Sequence, residues 1–77
     1  MNNQRRALLK EAIKKAEEAR IAVGQAADDE QMAYDNLPDP IKYNQRGDDM
    51  LETIDSLQCA EADLGTAIDS IREALGK

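Results

Sequence analysis

The stretch from Tyr34 to Gly47, YDNLPDPIKYNQRG, decides the fold of this 77-residue chain. It contains both prolines, both tyrosines and one of only four glycines, whereas the residues on either side follow a helical pattern. A residue that precedes proline is pushed out of helical geometry, so the Leu37-Pro38 step should end the first helix. The sequence therefore predicts a bend at about 37–44 that joins two long helices.

The region after the bend carries a heptad pattern, which predicts a helix over about 45–75. Asn44 is a suitable N-cap for this helix, although Gly47 or Asp48 offers an alternative start, and Gly76 follows its last apolar residue. Seven of the eight heptad positions are apolar, as is typical of coiled-coil packing. These positions alternate by fours and threes: Met50, Ile54, Leu57, Glu61, Leu64, Ile68, Ile71 and Leu75.

The region before the bend predicts a helix over about 3–36. Gly24 interrupts it at a cost of about 1 kcal/mol relative to alanine, and we interpret this glycine as permitting close approach of the second helix. If the chain folds back at the bend, facing residues have numbers that sum to about 87 or 88. The apolar positions of the first helix then match those of the second: Leu9, Ile13, Ala16, Val23, Ala27, Tyr34 and Leu37.

The expected fold is all-α, a two-helix antiparallel coiled-coil hairpin that forms a single unit over 1–77. A chain of this length buries little surface by itself. A second apolar row also needs to be covered: Leu8, Ala12, Ala19, Ala22 and Ala26 in the first helix, with Leu51, Ala60 and Gly65 in the second. We therefore expect a homodimer that forms an antiparallel four-helix bundle, although a heterologous partner helix would cover the same row.

Three polar residues fall on or near the apolar seam, namely Arg20, Glu30 and Glu61. We interpret them as a polar layer that fixes the register and the oligomeric state of the helices. In this interpretation Arg20 pairs with Glu30 or Glu61 across a dimer interface.

The bend is a second candidate site, because it concentrates the aromatic residues at one end of the rod. One interpretation is a packed corner in which Tyr34 and Leu37 close the seam. The other is a partner-binding tip that consists of Ile41, Lys42, Tyr43 and Arg46.

The composition offers few groups for catalysis. Without histidine the chain lacks the commonest general base, and with the single Cys59 it cannot build a thiolate zinc site. The acidic run at 28–30 lacks the ligand spacing of a calcium loop, and no glycine-rich phosphate loop is present. We expect no enzyme, no cofactor and no metal site, and we interpret Cys59 as a small packing residue.

The net charge of −6 is unevenly distributed. Residues 1–20 carry six basic and three acidic side chains, or +3, whereas residues 21–77 carry four basic and thirteen acidic ones, or −9. The basic start either faces the acidic second helix near Asp63, Asp69 and Glu73 or binds nucleic acid. We prefer the first interpretation, because no aromatic residue interleaves the basic ones. The nucleic-acid alternative would use Arg5, Arg6, Lys10, Lys14 and Lys15.

Localisation follows from what the chain lacks. No apolar run approaches the roughly 20 residues that span a bilayer, and the start MNNQRRALLKEAIKK has no apolar signal-peptide core. The glutamates of the first helix argue against a mitochondrial presequence. A small chain without a disulfide fits a reducing compartment, so we expect a cytoplasmic protein with no membrane contact.

The residues around the bend also form a motif. The sequence EQMAYDNLP, followed by Tyr43 and then Arg46-Gly47, resembles a group of small uncharacterised helical-hairpin proteins of bacteriophages, prophages and integrative elements of Gram-positive bacteria. This chain departs from the group in its alanine-rich first helix and in its Asp39-Pro40 step. The resemblance implies a hairpin of phage or mobile-element origin and carries over no catalytic residue. We expect a non-enzymatic interaction or structural module.

Overall fold

A computed structural model describes all residues, 1–77, as three helices and no strand. Helix α1 spans Asn3–Asp35, the single-turn α2 spans Asp39–Lys42, and α3 spans Gln45–Leu75. The long helices α1 and α3 pack against each other over the length of a rod that measures 59 × 14 × 13 Å, which confirms the all-α helical hairpin. None of the three helices has the length and apolar character required to cross a bilayer.

Asparagine side chains cap both long helices. The side-chain oxygen of Asn44 accepts a hydrogen bond of 2.9 Å from the backbone N–H of Arg46, which confirms the predicted start of α3. Asn2 caps α1 in the same way, because its side-chain oxygen accepts from the N–H of Arg5 at 2.8 Å. These bonds satisfy backbone donors that have no partner within the first turn of a helix.

The bend is a compact corner built around α2. The Lys42 ammonium lies 5.2 Å from the centre of the Tyr34 ring, and it donates a hydrogen bond of 3.4 Å to the backbone oxygen of Asp35. Lys42, the last residue of α2, therefore contacts two residues at the end of α1. On the other side of α2, the buried Gly47 lies against the Lys42 carbonyl, where a Cβ atom would be 1.9 Å from the oxygen.

The predicted heptad seam is the core of the hairpin. All eight predicted α3 positions, six predicted α1 positions and Leu37 just beyond α1 are buried or half-buried. The most buried side chains are Ile68, with 1% of its surface exposed, and Ala27 and Ile54, with 3% each. The observed burial confirms the helical pattern that the sequence predicts for both elements.

Three contacts between α1 and α3 fix the register. Arg20 lies on Gly65 and Glu61 lies on Gly24, and both pairs of residue numbers sum to 85. An ion pair joins Glu17 to Arg72, whose numbers sum to 89. These sums, 85 and 89, lie on either side of the predicted value of 87 or 88 and within three of it.

The hairpin is thin for its mass. Only four of its 77 residues are buried, and its accessible surface is 5610 Å². A compact monomer of 8.5 kDa would expose about 4,650 Å². The radius of gyration is 17.4 Å, compared with about 11.5 Å for a compact domain of this length. The two helices therefore form one layer, and the backs of both remain exposed to solvent.

Candidate interaction surfaces

One side of the hairpin is polar. The side chains there belong to Glu17, Arg20, Glu61 and Arg72, and we refer to these four residues with Gly24 and Gly65 as the polar side. Glu17 accepts a hydrogen bond from the Arg72 guanidinium, and this ion pair is the only one in the protein. Because both side chains are about half exposed, with 57% for Arg72 and 46% for Glu17, the pair should contribute only about 0.2–1 kcal/mol to stability.

Two glycines make room for charged side chains on the polar side. A Cβ atom on Gly65 would lie 3.2 Å from the Cζ atom of Arg20, and one on Gly24 would lie 3.1 Å from a carboxylate oxygen of Glu61. The arrangement is reciprocal, since each long helix contributes one glycine and one charged side chain. Gly24 thus makes room for the Glu61 carboxylate, and closer approach of the helix backbones at this residue stays a prediction.

The structure brings together two of the three residues predicted to form the polar layer. Arg20 and Glu61 line the same shallow groove, together with Glu17 and Ile21, but they make no ion pair. Glu30 is half-buried and lies ten residues beyond Arg20 on α1, which corresponds to about 15 Å along the helix. Within one hairpin, Glu30 is therefore separate from the other two. A role of these residues in register or oligomeric state stays a prediction.

The opposite side of the hairpin is lined by alanine. Ala12, Ala26 and Ala33 each precede a seam position of the first helix by one residue, and Ala19 continues this row at the same seven-residue spacing, whereas Glu17 and Gly24 follow a seam position. The α3 residues Ala60, Ala67 and Ala74 also precede seam positions, whereas Gly65 and Arg72 follow them. Because residues that follow seam positions meet on the polar side, the seven alanines lie on the other side of the rod.

We refer to these seven alanines and Leu8 as the alanine face. Leu8 belongs to it because it lies four residues before Ala12, about one helical turn away, and 68% of its surface is exposed. The numbers of Ala12 and Ala74, of Ala19 and Ala67, and of Ala26 and Ala60 each sum to 86. These alanines are therefore side by side on the two helices, and the face is continuous along the rod.

The alanine face refines the second apolar row expected from the sequence. Ala60 belongs to it, as do Leu8, Ala12, Ala19 and Ala26 of α1, and Ala22 lies at its edge, three residues beyond Ala19. Leu51 and Gly65 do not, because each follows an α3 seam position and so lies on the polar side. The side chain of Arg20 also covers Gly65. Knowing which side of the seam a residue flanks requires the register of the two helices, which apolarity alone does not provide.

The candidate tip at the bend is partly occupied by contacts within the chain. Ile41 and Lys42 are half-buried, and Lys42 is held by Tyr34 and Asp35. The other two residues, Tyr43 and Arg46, are exposed, with 79% of the Tyr43 surface in contact with solvent. The bend thus combines a closed corner with an exposed tyrosine and arginine, and its role in partner binding stays a prediction.

The basic start of α1 points mainly into solvent. Arg5, Lys10, Lys14 and Lys15 are exposed, and Arg6 is half-buried. No ion pair connects them to Asp63, Asp69 or Glu73, so the expected compensation by α3 does not take the form of direct contacts. These five residues also have no acidic partner in the first turn of α1.

Chemically reactive groups are dispersed over the surface. The structure contains no cluster of three or more metal-ligating side chains. Cys59 is exposed, so its interpretation as a packing residue is wrong. The side chain sits on the α3 surface away from the seam, where a small apolar group is not needed.

Comparisons with known proteins give no match for this chain among family models, curated proteins or solved structures. The resemblance to phage and mobile-element proteins therefore stays a prediction.

Proposed function

We propose that this chain is a non-enzymatic interaction or structural module that associates with a second copy to form a four-helix bundle. The observation that carries the proposal is the exposed surface of 5610 Å², which exceeds the value for a compact monomer by about 950 Å². In a standard protein interface each partner buries about 800 Å². Association of two hairpins would thus bring the surface of each copy close to that of a compact domain.

A phage or mobile-element origin is a further part of this proposal. It is supported by the motif EQMAYDNLP with the following Arg46-Gly47, and by its position at the corner between two long helices. Expression of the chain from the genome of such an element would support the origin. Its presence only among ordinary chromosomal genes of unrelated hosts would contradict it.

The self-association is tested by light scattering coupled to size exclusion over a range of protein concentrations. The expected molar mass is about 17 kDa, twice the 8.5 kDa of one chain. A mass of one chain at every concentration would overturn the proposal. Circular dichroism on the same samples confirms that the measured species is helical.

A second candidate function, nucleic-acid binding, is favoured by the five basic residues of α1 that make no ion pair. Fluorescence anisotropy with labelled duplex DNA and single-stranded RNA at low salt tests it. If it holds, Lys10→Gln and Lys14→Gln weaken binding and reduce its salt dependence, whereas Arg46→Gln at the bend, the opposite end of the rod, has little effect. Absence of binding at low salt would remove this candidate.

A further inference from the structure

We propose that the second copy docks on the alanine face with the two bends at opposite ends of the bundle. This inference rests on the proposed self-association and adds the docking surface and the orientation of the partner. The occupant is a second copy of this chain, so the interface is isologous and its two-fold axis crosses the rods near their midpoints. In this arrangement α1 packs on the α1 of the other copy, and α3 packs on α3.

The choice of face follows from the difference between the two sides of the hairpin. Docking through the polar side would bury Arg20, Glu61 and the Glu17–Arg72 pair, and burial of charged groups is costly unless each is matched in the interface. Docking on the alanine face therefore replaces the expectation that Arg20 pairs with an acidic residue across the dimer interface. The alanine face is a row of uncharged side chains, and the charged residues that adjoin it, Lys15, Asp29 and Asp63, are exposed at its edge. Its small side chains also allow helices to approach closely over a long line of contact.

The choice of orientation follows from the charge of the two halves of the rod. The half that contains the termini, residues 1–20 and 61–77, carries eight basic and seven acidic side chains, a net charge of +1. The half that contains the bend, residues 21–60, carries two basic and nine acidic side chains, a net charge of −7. If the two bends were at the same end, the bend halves of the two copies, each with a net charge of −7, would lie beside each other. Bends at opposite ends place −7 beside +1, which greatly reduces the repulsion.

Within α1 the charges are complementary to a second, antiparallel α1. Residues 1–20 carry +3, and residues 21–36 carry four acidic side chains and no basic one, or −4. Lys15 and Asp29 lie at the edge of the alanine face, each three residues beyond one of its alanines, and they are equally far from Ala22. A two-fold axis at Ala22 therefore places Lys15 beside the partner's Asp29, and does so twice.

The orientation is tested by spin-label distances in the full chain, with Cys59→Ser to remove the native thiol and Tyr43→Cys to carry the label. The two labels of a dimer should be separated by about the length of the rod, which is 59 Å. If the bends were at the same end, the separation would be on the order of 20 Å, set by neighbouring helices and the labels. A short distance would overturn the orientation, and absence of any intermolecular distance would instead overturn the self-association.

Charge reversal tests the Lys15–Asp29 contact independently. Lys15→Glu and Asp29→Lys should each weaken the dimer by about threefold or more at low salt, and the two together should restore it. The matched control is Lys14→Glu with Asp28→Lys, which makes the same charge changes one residue away, on positions that point away from the face. Equal effects of both sets would overturn the contact.

The face is tested with Ala26→Glu, which introduces a charge into the centre of the proposed interface. This variant should lower the dimer affinity by about tenfold or more, because the new carboxylate is desolvated without a partner. Gln25→Glu adds the same charge on the neighbouring exposed position and should change the affinity by less than about threefold. Unchanged affinity of the Ala26→Glu variant, with helicity retained, would overturn the choice of face.

Discussion

Gly47 lies against the carbonyl group of Lys42, so closely that a Cβ atom at residue 47 would be 1.9 Å from that oxygen. No residue of this protein has a positive φ angle, so the glycine is required for space and not for backbone conformation. The contact brings the first turn of α3 against the last residue of the short helix α2. Glycine lowers the helix propensity at residue 47, but its lack of a side chain allows the close approach of α2 and α3 at the corner.

The first prediction compares the same substitution at two glycines of α3. Gly47→Ala should lower the free energy of unfolding by about 1–3 kcal/mol, because the backbone of α2 or α3 must shift. Gly65→Ala should be neutral or stabilise by less than about 1 kcal/mol, since the gain in helix propensity is offset only by movement of the flexible Arg20 side chain. Urea unfolding followed by circular dichroism measures both. Equal effects would show that the corner relaxes freely.

The second prediction concerns the core. Ile68→Val should lower the free energy of unfolding by about 0.5–1.5 kcal/mol, because Ile68 is the most deeply buried large side chain. Ile21→Val is the matched control, since 63% of Ile21 is exposed and its loss of a methylene should change stability by less than about 0.5 kcal/mol. A loss at residue 21 as large as that at residue 68 would contradict the placement of the core.

The third prediction concerns the start of α3. Asn44→Ala removes the acceptor for the Arg46 N–H and should lower the free energy of unfolding by about 0.5–2 kcal/mol. Asn44→Asp keeps an acceptor at the same position and should retain most of the stability. If the aspartate variant lost as much as the alanine variant, the hydrogen bond would not be the cause. Thermal unfolding of the three proteins at one concentration measures the difference.

The fourth prediction concerns the ion pair on the polar side. A double-mutant cycle of Glu17→Gln and Arg72→Gln should give a coupling energy of about 0.2–1 kcal/mol at low salt. The coupling should fall towards zero near 1 M salt, where the screening length is about 3 Å. Coupling that persisted at high salt would mean that the pair is shielded from solvent, which its exposed fractions do not suggest.

The sequence predicts the fold well because the heptad pattern and the prolines act locally. The spacing from Met50 to Leu75 identifies the seam of α3, and Leu37-Pro38 ends α1. The cap at Asn2 was not predicted, although asparagine just before a helix is a recognisable signal. Patterns of this kind depend only on neighbouring residues, so a single sequence is sufficient to read them.

The surfaces were harder to predict, because they depend on how two helices face each other. Ala60 and Gly65 are both small residues beside the α3 seam. Ala60 belongs to the alanine face, whereas Gly65 is covered by Arg20. The exposure of Cys59 and the formation of the Glu17–Arg72 ion pair both depend on how the two helices face each other. No local pattern specifies these features. The two contacts join residues more than 40 positions apart, and the exposure of Cys59 depends on the rotation of α3 about its axis.

If a second copy completes the thin hairpin, folding is coupled to association. The midpoint of thermal unfolding, measured at protein concentrations that span about a hundredfold range, tests this coupling. Because association stabilises only the folded state, we predict a midpoint that rises with concentration. A midpoint that stayed constant over the whole range would contradict the self-association and show that one hairpin folds by itself.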